Sequence, residues 1–324
     1  MTFKRSIGRL AGALALVAAI APGTATAWAD WHEGLIDVVF GCCYKQYSNQ
    51  VDQDTGFSRS GNDSKAETDL TTLTAQYSNG WKYGGTFLYV DMLIDDNQSD
   101  VSFFSQGFEF ISSHKVFKID YETPTHGILK DVQAAVGWQL GNVHDYYAGT
   151  YANQTAQGAV GDPFIKVVYD AHDIIDVFYG IDLQFGVPGF QWVGLSIGQY
   201  NDQNTETDYE DQWTANLYYR INWYIGPTRW QADGFMQWYD ERNSAHSGPL
   251  TAAYLYSQHQ IKLDAGLLLF GRPNTMLVGT EIQWTQNTFG VADLRDTTGF
   301  APKGQAVAVS TDEFFPTFMV EWVF

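Results

Sequence analysis

Residues 212–225 read QWTANLYYRINWYI. Trp213, Ala215, Leu217, Tyr219, Ile221 and Trp223 fall on one side of a period-two pattern. Thr214, Asn216, Tyr218, Arg220, Asn222 and Tyr224 fall on the other. Side chains alternate across a strand, so strict alternation over this length predicts a β-strand with one apolar face. That face carries aromatic rings at both ends and aliphatic groups between them. Such a layout suits a surface that meets lipid, with aromatic girdles at the two water interfaces. In a soluble sandwich the apolar face would more often be aliphatic throughout.

The arrangement recurs along the chain. Trp230, Ala232, Met236 and Trp238 alternate with Arg229, Gln231, Asp233, Phe235 and Gln237. Similar series run through Val177, Tyr179, Ile181, Leu183 and Phe185, through Met276, Val278, Ile282 and Trp284, and through Val132, Ala134, Val136 and Trp138. Ile36, Val38, Phe40 and Tyr44, Leu73 with Tyr77, and Leu88, Val90 and Met92 extend it toward the N-terminus. The chain stops on FFPTFMVEWVF, residues 314–324, with Phe318, Val320, Trp322 and Phe324 in one series and Glu321 in the other. Termini are usually frayed and polar, so this ending predicts a paired closing strand.

Tight turns are expected at Asn79-Gly80, Val187-Pro188-Gly189, Gly226-Pro227 and Gly271 to Asn274. Long polar loops are expected at 46–68, 94–102, 141–175, 200–211, 240–253 and 286–313. Strands then fall near 35–45, 69–78, 81–93, 103–111, 131–140, 176–186, 190–199, 212–225, 229–239, 254–269, 275–285 and 314–324. The fold class is all-β: a single antiparallel transmembrane β-barrel of about 12 strands, with short periplasmic turns and long extracellular loops. An even count places both chain ends on the tight-turn side. Residues 163–171 also look strand-like and are read as a hairpin or plug within a loop, while 112–130 is longer than a tight connection.

Lys4, Arg5 and Arg9, the short apolar run Leu10 to Ile20, and Ala25-Thr26-Ala27 read as a secretory signal over residues 1–27, leaving 28–324 as the barrel domain. Asp and Glu number 37 against 18 Lys and Arg, a formal charge of −19. This excludes nucleic acid as a partner, since phosphate binding needs basic patches. The two cysteines, Cys42 and Cys43, are adjacent; neighbours on a strand point to opposite faces and pair poorly. No metal-ligand spacing is present and no cofactor is called for.

Three segments carry a resemblance to a known family. LTAQYSNGWKYGGTFLYVDML, residues 73–93, and YGIDLQFGVPGFQW, residues 179–192, are similar to strand–turn–strand segments of the Tsx/OmpK-like nucleoside-specific channel-forming outer-membrane proteins of Gram-negative bacteria. The C-terminal strand ending in Phe is shared with outer-membrane barrels generally. The resemblance implies a twelve-stranded monomeric channel for nucleosides, seated in outer-membrane lipid and lipopolysaccharide. It also implies assembly by the barrel-assembly machinery through the C-terminal strand.

If one face meets lipid, the other lines the lumen. Parity assigns Tyr83, Phe87, Tyr89, Asp91, Phe178, Asp182, Tyr218, Arg220, Phe235, Glu281 and Glu321 to the solute pathway. Asp37, Glu109, Arg229 and Asp233 join the same interior set. Aromatic rings beside ionisable groups suit nucleosides, whose bases stack on Tyr or Phe. Their ribose hydroxyls need acceptors such as Asp182, Glu281 or Glu321. Confined acids repel phosphate, so small neutral solutes pass more easily than nucleotides. The same residues could instead fill volume and pair Arg220 or Arg229.

Two other classes compete with a channel. An outer-membrane enzyme, a lipid-modifying hydrolase or protease, needs a catalytic constellation, and no catalytic residue is assigned. His144-Asp145 and His172-Asp173 are the nearest approach to a dyad among His32, His114, His126, His144, His172, His246 and His259. A structural or adhesive barrel would bind a partner through acidic loops such as NDQNTETDYEDQ, residues 201–212.

Overall fold

The computed structural model describes residues 29–46, 66–95, 101–120, 128–143, 150–152, 165–167, 172–202, 211–241, 253–286, 294–295, 308–309 and 313–324. The elements in chain order are β1 (Ala29–Gln46), β2 (Ala66–Trp81), β3 (Gly84–Asp95), β4 (Val101–Ser112), α1 (Ser113–Phe117), β5 (Leu129–Val143), β6 (Thr150–Ala152) and β7 (Ile165–Val167). They continue with β8 (His172–Phe185), β9 (Phe190–Asp202), β10 (Gln212–Ile225), β11 (Thr228–Tyr239), β12 (Tyr254–Asp264), α2 (Ala265–Phe270), β13 (Met276–Gln286), β14 (Leu294–Arg295), β15 (Ala308–Val309) and β16 (Glu313–Val323).

Twelve of these strands close into one antiparallel barrel in the order β1-β16-β13-β12-β11-β10-β9-β8-β5-β4-β3-β2. The closing seam pairs β1 with β16 from Leu35 against Val323 to Phe40 against Phe318. Gly34 and Phe324 extend it by exchanging backbone hydrogen bonds of 3.2 and 2.9 Å. The apolar C-terminal segment is therefore a paired strand that removes both sheet edges. Closure is what permits a sheet to cross a bilayer, where unpaired backbone groups have no water. The expected all-β barrel of about twelve strands is the observed fold. The signal segment lies outside the described residues, as do most residues of the expected long loops.

Local boundaries differ from the sequence pattern in places. The first hairpin turns at Lys82-Tyr83, because Asn79 and Gly80 stay extended against His32 and Trp31 of β1; neighbour pairing overrides the turn propensity of Asn-Gly. The strand expected over 254–269 ends at Asp264. There the Asp264 carboxylate accepts from Leu267 N at 2.9 Å and caps α2, which stops at Gly271 with φ of 64°. The long 112–130 connection begins with α1, capped by Ser112. Within 163–171, Ile165–Val167 pairs with Thr150–Ala152 as a separate two-stranded sheet, as a hairpin in a loop requires. Cys42 and Cys43 lie in a β-bulge, two residues opposite Asp69 alone.

The outer wall is apolar. Trp138, Trp213, Trp238, Trp284 and Phe314 are exposed toward the end of the barrel away from the tight turns. Trp322 and Phe324 are exposed at the turn end, where Trp223 stacks beside Trp230 across the β10–β11 pair at 6.4 Å. Leu217, Ile261 and Phe318 fill the band between. The ten steps from Trp213 to Trp223, at roughly 3.4 Å each and tilted by about 40°, span about 26 Å, matching the apolar band of a membrane barrel. A soluble monomer rarely exposes so continuous an apolar surface.

Candidate functional site

Lumenal side chains divide into an ionic half toward the tight turns and an aromatic half toward the other end. In the ionic half Lys262 on β12 is the hub. Its ammonium donates to Asp233 Oδ2 at 3.0 Å, Glu321 Oε2 at 2.7 Å and Gln260 Oε1 at 2.9 Å. Three acceptors use its three protons. Arg220 donates from Nε to Asp233 Oδ2 at 3.1 Å and from Nη1 to Glu33 Oε1 at 3.0 Å. Its guanidinium also lies 5.2 Å from the centre of the Trp192 ring, within cation–π reach. Arg229 is held by Asp264 at 3.1 Å and Asn222 at 2.9 Å. Each of these three cations is thus engaged by a carboxylate, as buried charge requires.

The Arg220–Glu33 pair joins strands five steps apart round the barrel. In a circular barrel of twelve strands, spaced about 4.8 Å and tilted about 40°, such strands lie about 23 Å apart. An extended Arg and Glu meeting at 3.0 Å span about 15 Å at most between their Cα atoms. The barrel is therefore oval here, and a side-chain bridge crosses its lumen.

Asp182 on β8 centres a second network. It accepts from Ser196 Oγ at 2.6 Å and Tyr218 OH at 2.8 Å, and from Gln184 as well. Glu281 accepts from Gln258 and Gln260 at 2.7 Å each and from Gln283 at 2.8 Å. Amide and hydroxyl donors saturate both carboxylates without a neutralising cation in direct contact.

In the aromatic half, Phe178 meets Phe108 edge-on at 5.4 Å and Tyr200 at 5.3 Å. Tyr200 stacks on Tyr239 at 6.0 Å, and Tyr239 on Tyr254 at 4.3 Å. Glycines in the wall make room for these rings. A Cβ at Gly198 would lie 2.6 Å from Phe178 Cζ, and one at Gly137 or Gly194 would overlap Phe108 or Tyr218. The rings consequently lie down against the wall. Phe87 and Tyr89, 5.9 Å apart, and Phe235 with Tyr256 at 5.5 Å keep partly exposed faces.

Most residues assigned to the pathway by parity face the lumen, but in different states. Phe87, Tyr89, Asp91, Tyr218, Arg220 and Phe235 are half-buried, whereas Phe178, Asp182, Glu281 and Glu321 are buried. The last three already hold donors, so they are not open acceptors for a ribose as expected, and Phe178 is covered by its aromatic neighbours. Tyr83 lies in the exposed turn, beside Trp81 at 6.0 Å and Lys82, and is not part of the lumen wall. Glu109 points outward, accepting from Thr86 at 2.8 Å, because it pairs with outward Val136. Asp37, Arg229 and Asp233 are buried on the inner face.

Neither a known family model nor a curated protein sequence matches the chain. Among solved structures it is similar to an outer membrane channel from Pseudomonas putida F1, at 9% identity over 94% of this chain and 99% of that one, with a TM-score of 0.37. It is similar to OmpT, an outer membrane protein of Vibrio cholerae, at 9% identity over 91% and 97%, with a TM-score of 0.31. OpdQ of Pseudomonas aeruginosa follows at 11% identity over 90% and 97%, with a TM-score of 0.24. Likenesses this distant carry nothing about solute or mechanism.

Lys262 and Glu33 are members of the lumenal ion-pair network that the parity assignment did not include. Glu33 precedes the expected start of the first strand. Lys262 sits in a legible alternation, Gln258-x-Gln260-x-Lys262-x-Asp264, whose polar parity marks an inner face. The aromatics Trp192, Tyr200, Tyr239 and Tyr256 obey the same parity rule.

Proposed function

We propose that this barrel is an outer-membrane channel for passive diffusion of small solutes, with nucleosides as the solute class. The observation that carries the reading is the closed barrel with an apolar outer wall and a polar, charged inner one. A polar lumen inside a lipid-facing barrel serves passage better than structure alone.

Passage is through a narrow lumen. A barrel of about twelve strands lies between filled eight-stranded barrels and wide porins, and the Arg220–Glu33 bridge narrows it further. The half-buried faces of Phe87, Tyr89 and Phe235 offer stacking surfaces for a base. Asp91, which accepts from Thr74 at 2.6 Å, supplies acceptor oxygens beside Tyr89. Several weak contacts in series suit transit, since a single tight site would trap the solute. The excess of acids disfavours phosphorylated solutes.

Liposome swelling with nucleosides, nucleotides and sugars of matched size tests this function. Faster entry of nucleosides is expected; equal rates for sugars would sink the selectivity, and no entry of any solute would sink the channel.

A further inference from the structure

Among the described residues, these networks leave two buried lumenal oxygens unserved, Asn216 Oδ1 on a neutral amide and Asp37 Oδ1 on a carboxylate. Asp37 on β1 is 3% exposed, and its Oδ1 accepts no hydrogen bond. Its cross-strand neighbours are Glu321 on β16 and Thr74 on β2, and Thr74 in turn stands opposite Asp91 on β3. The charges that face it are Glu281, Glu321, Asp91 and Lys262. Lys262 has no proton left to offer, because Asp233, Glu321 and Gln260 take all three. Thr74 gives its hydroxyl proton to Asp91. Three carboxylates and one fully committed ammonium therefore surround a buried carboxylate oxygen without a donor.

We propose that Asp37 anchors a small monovalent cation in the lumen. Leaving a carboxylate ionised in so enclosed a place without a counter-charge is costly, and a cation there offsets the surrounding acids as well. The ligand chemistry is hard oxygen: Asp37 Oδ1, with Thr74, whose hydroxyl is neutral, directly across the strand pair. A divalent ion is disfavoured, because among the described residues no group of three or more His, Cys, Asp or Glu is placed to hold a metal ion, and such ions need several carboxylates. A monovalent ion needs one carboxylate and neutral oxygens, and it binds weakly enough to exchange along a pore. The site rests on the channel reading for its role in conduction, making the pore cation-selective.

The test uses the mature chain with potassium as the probe. In planar bilayers under a KCl gradient, wild type is expected to be cation-selective. Asp37→Asn should lower the potassium-to-chloride permeability ratio by about tenfold, with outward-facing Glu109→Gln as the unchanged control. In parallel, thermal unfolding of the detergent-solubilised protein is compared in potassium chloride and N-methylglucamine chloride of equal ionic strength. Wild type should gain stability specifically from potassium, and Asp37→Asn should lose that gain. Absence of conductance together with potassium-specific stabilisation overturns the channel and keeps the site. Conductance with unaltered selectivity and no potassium-specific gain overturns the site and keeps the channel; in that case Asp37 carries a proton.

Discussion

The two halves of the lumen solve the same packing problem with different chemistry. Toward the far end, Phe108, Phe178, Tyr200 and Tyr239 pack ring against ring, and Phe108 and Phe178 lie down on glycines of the wall. Toward the turns, Arg220, Lys262, Asp233, Glu33 and Glu321 reach inward and across. Aromatic packing is short-ranged and settles on the nearest surface. Charge pairs act over longer distances and draw opposite walls together, which is why the ion pair, and not the rings, bridges the oval section. The far half is thus shaped by steric fit and the near half by electrostatic balance.

The largest blow to that contrast is Lys262→Met, which leaves Asp233 and Glu321 buried without their shared ammonium. We expect a loss of about 3–5 kcal/mol, the cost of breaking a buried charge network from one side, read as a lower urea midpoint in lipid or detergent. An unaltered midpoint would show that the ionic half does not brace the barrel. Gly194→Val attacks the steric rule instead, because its side chain overlaps the Tyr218 ring. A loss of about 1–3 kcal/mol should accompany reduced conductance as Tyr218 is pushed into the lumen; conductance at the wild-type level would contradict the notch.

Tyr89→Ala sharpens the division between exposed and covered rings. Removing a stacking face worth about 1–3 kcal/mol should weaken nucleoside block of single-channel current by about tenfold. Phe178→Leu, beneath its neighbours, should leave the block unchanged. Equal effects of the two would place the solute against the covered cluster. The smallest effect on stability is expected for Glu33→Gln. Glu33 is one-third exposed and Arg220 keeps Asp233, so unfolding should move by under about 1 kcal/mol. Conductance should nevertheless rise, because the bridge across the lumen opens. A current that stays level would mean that solutes pass to one side of it.

Much of this molecule is legible from alternation alone. Trp213 through Trp223, with the intervening aliphatics, told the outer wall from the inner one, and Glu321 and Asp37 followed by parity. Parity failed at one strand boundary and inside one strand. Tyr83 became a turn residue because β2 runs on to Trp81. Glu109 faces outward because the register with β5 places it opposite Val136. Lys262 went unread because the segment was assigned as a strand without its faces being separated.

By itself the sequence determined a lipid-facing barrel of about twelve strands with an acidic inner wall. Those properties are periodic and local, since period two puts every second side chain on one face whatever the neighbouring strand. Tertiary structure alone decided which charges meet. Arg220 finds Glu33 from 187 positions away in the chain, and Lys262 spends its last proton on Glu321 from 59 away. Pairings at such separations depend on how the strands order and close, and on the oval section that brings opposite walls together. No local pattern encodes that distance, and it is what leaves Asp37 Oδ1 without a hydrogen-bond donor.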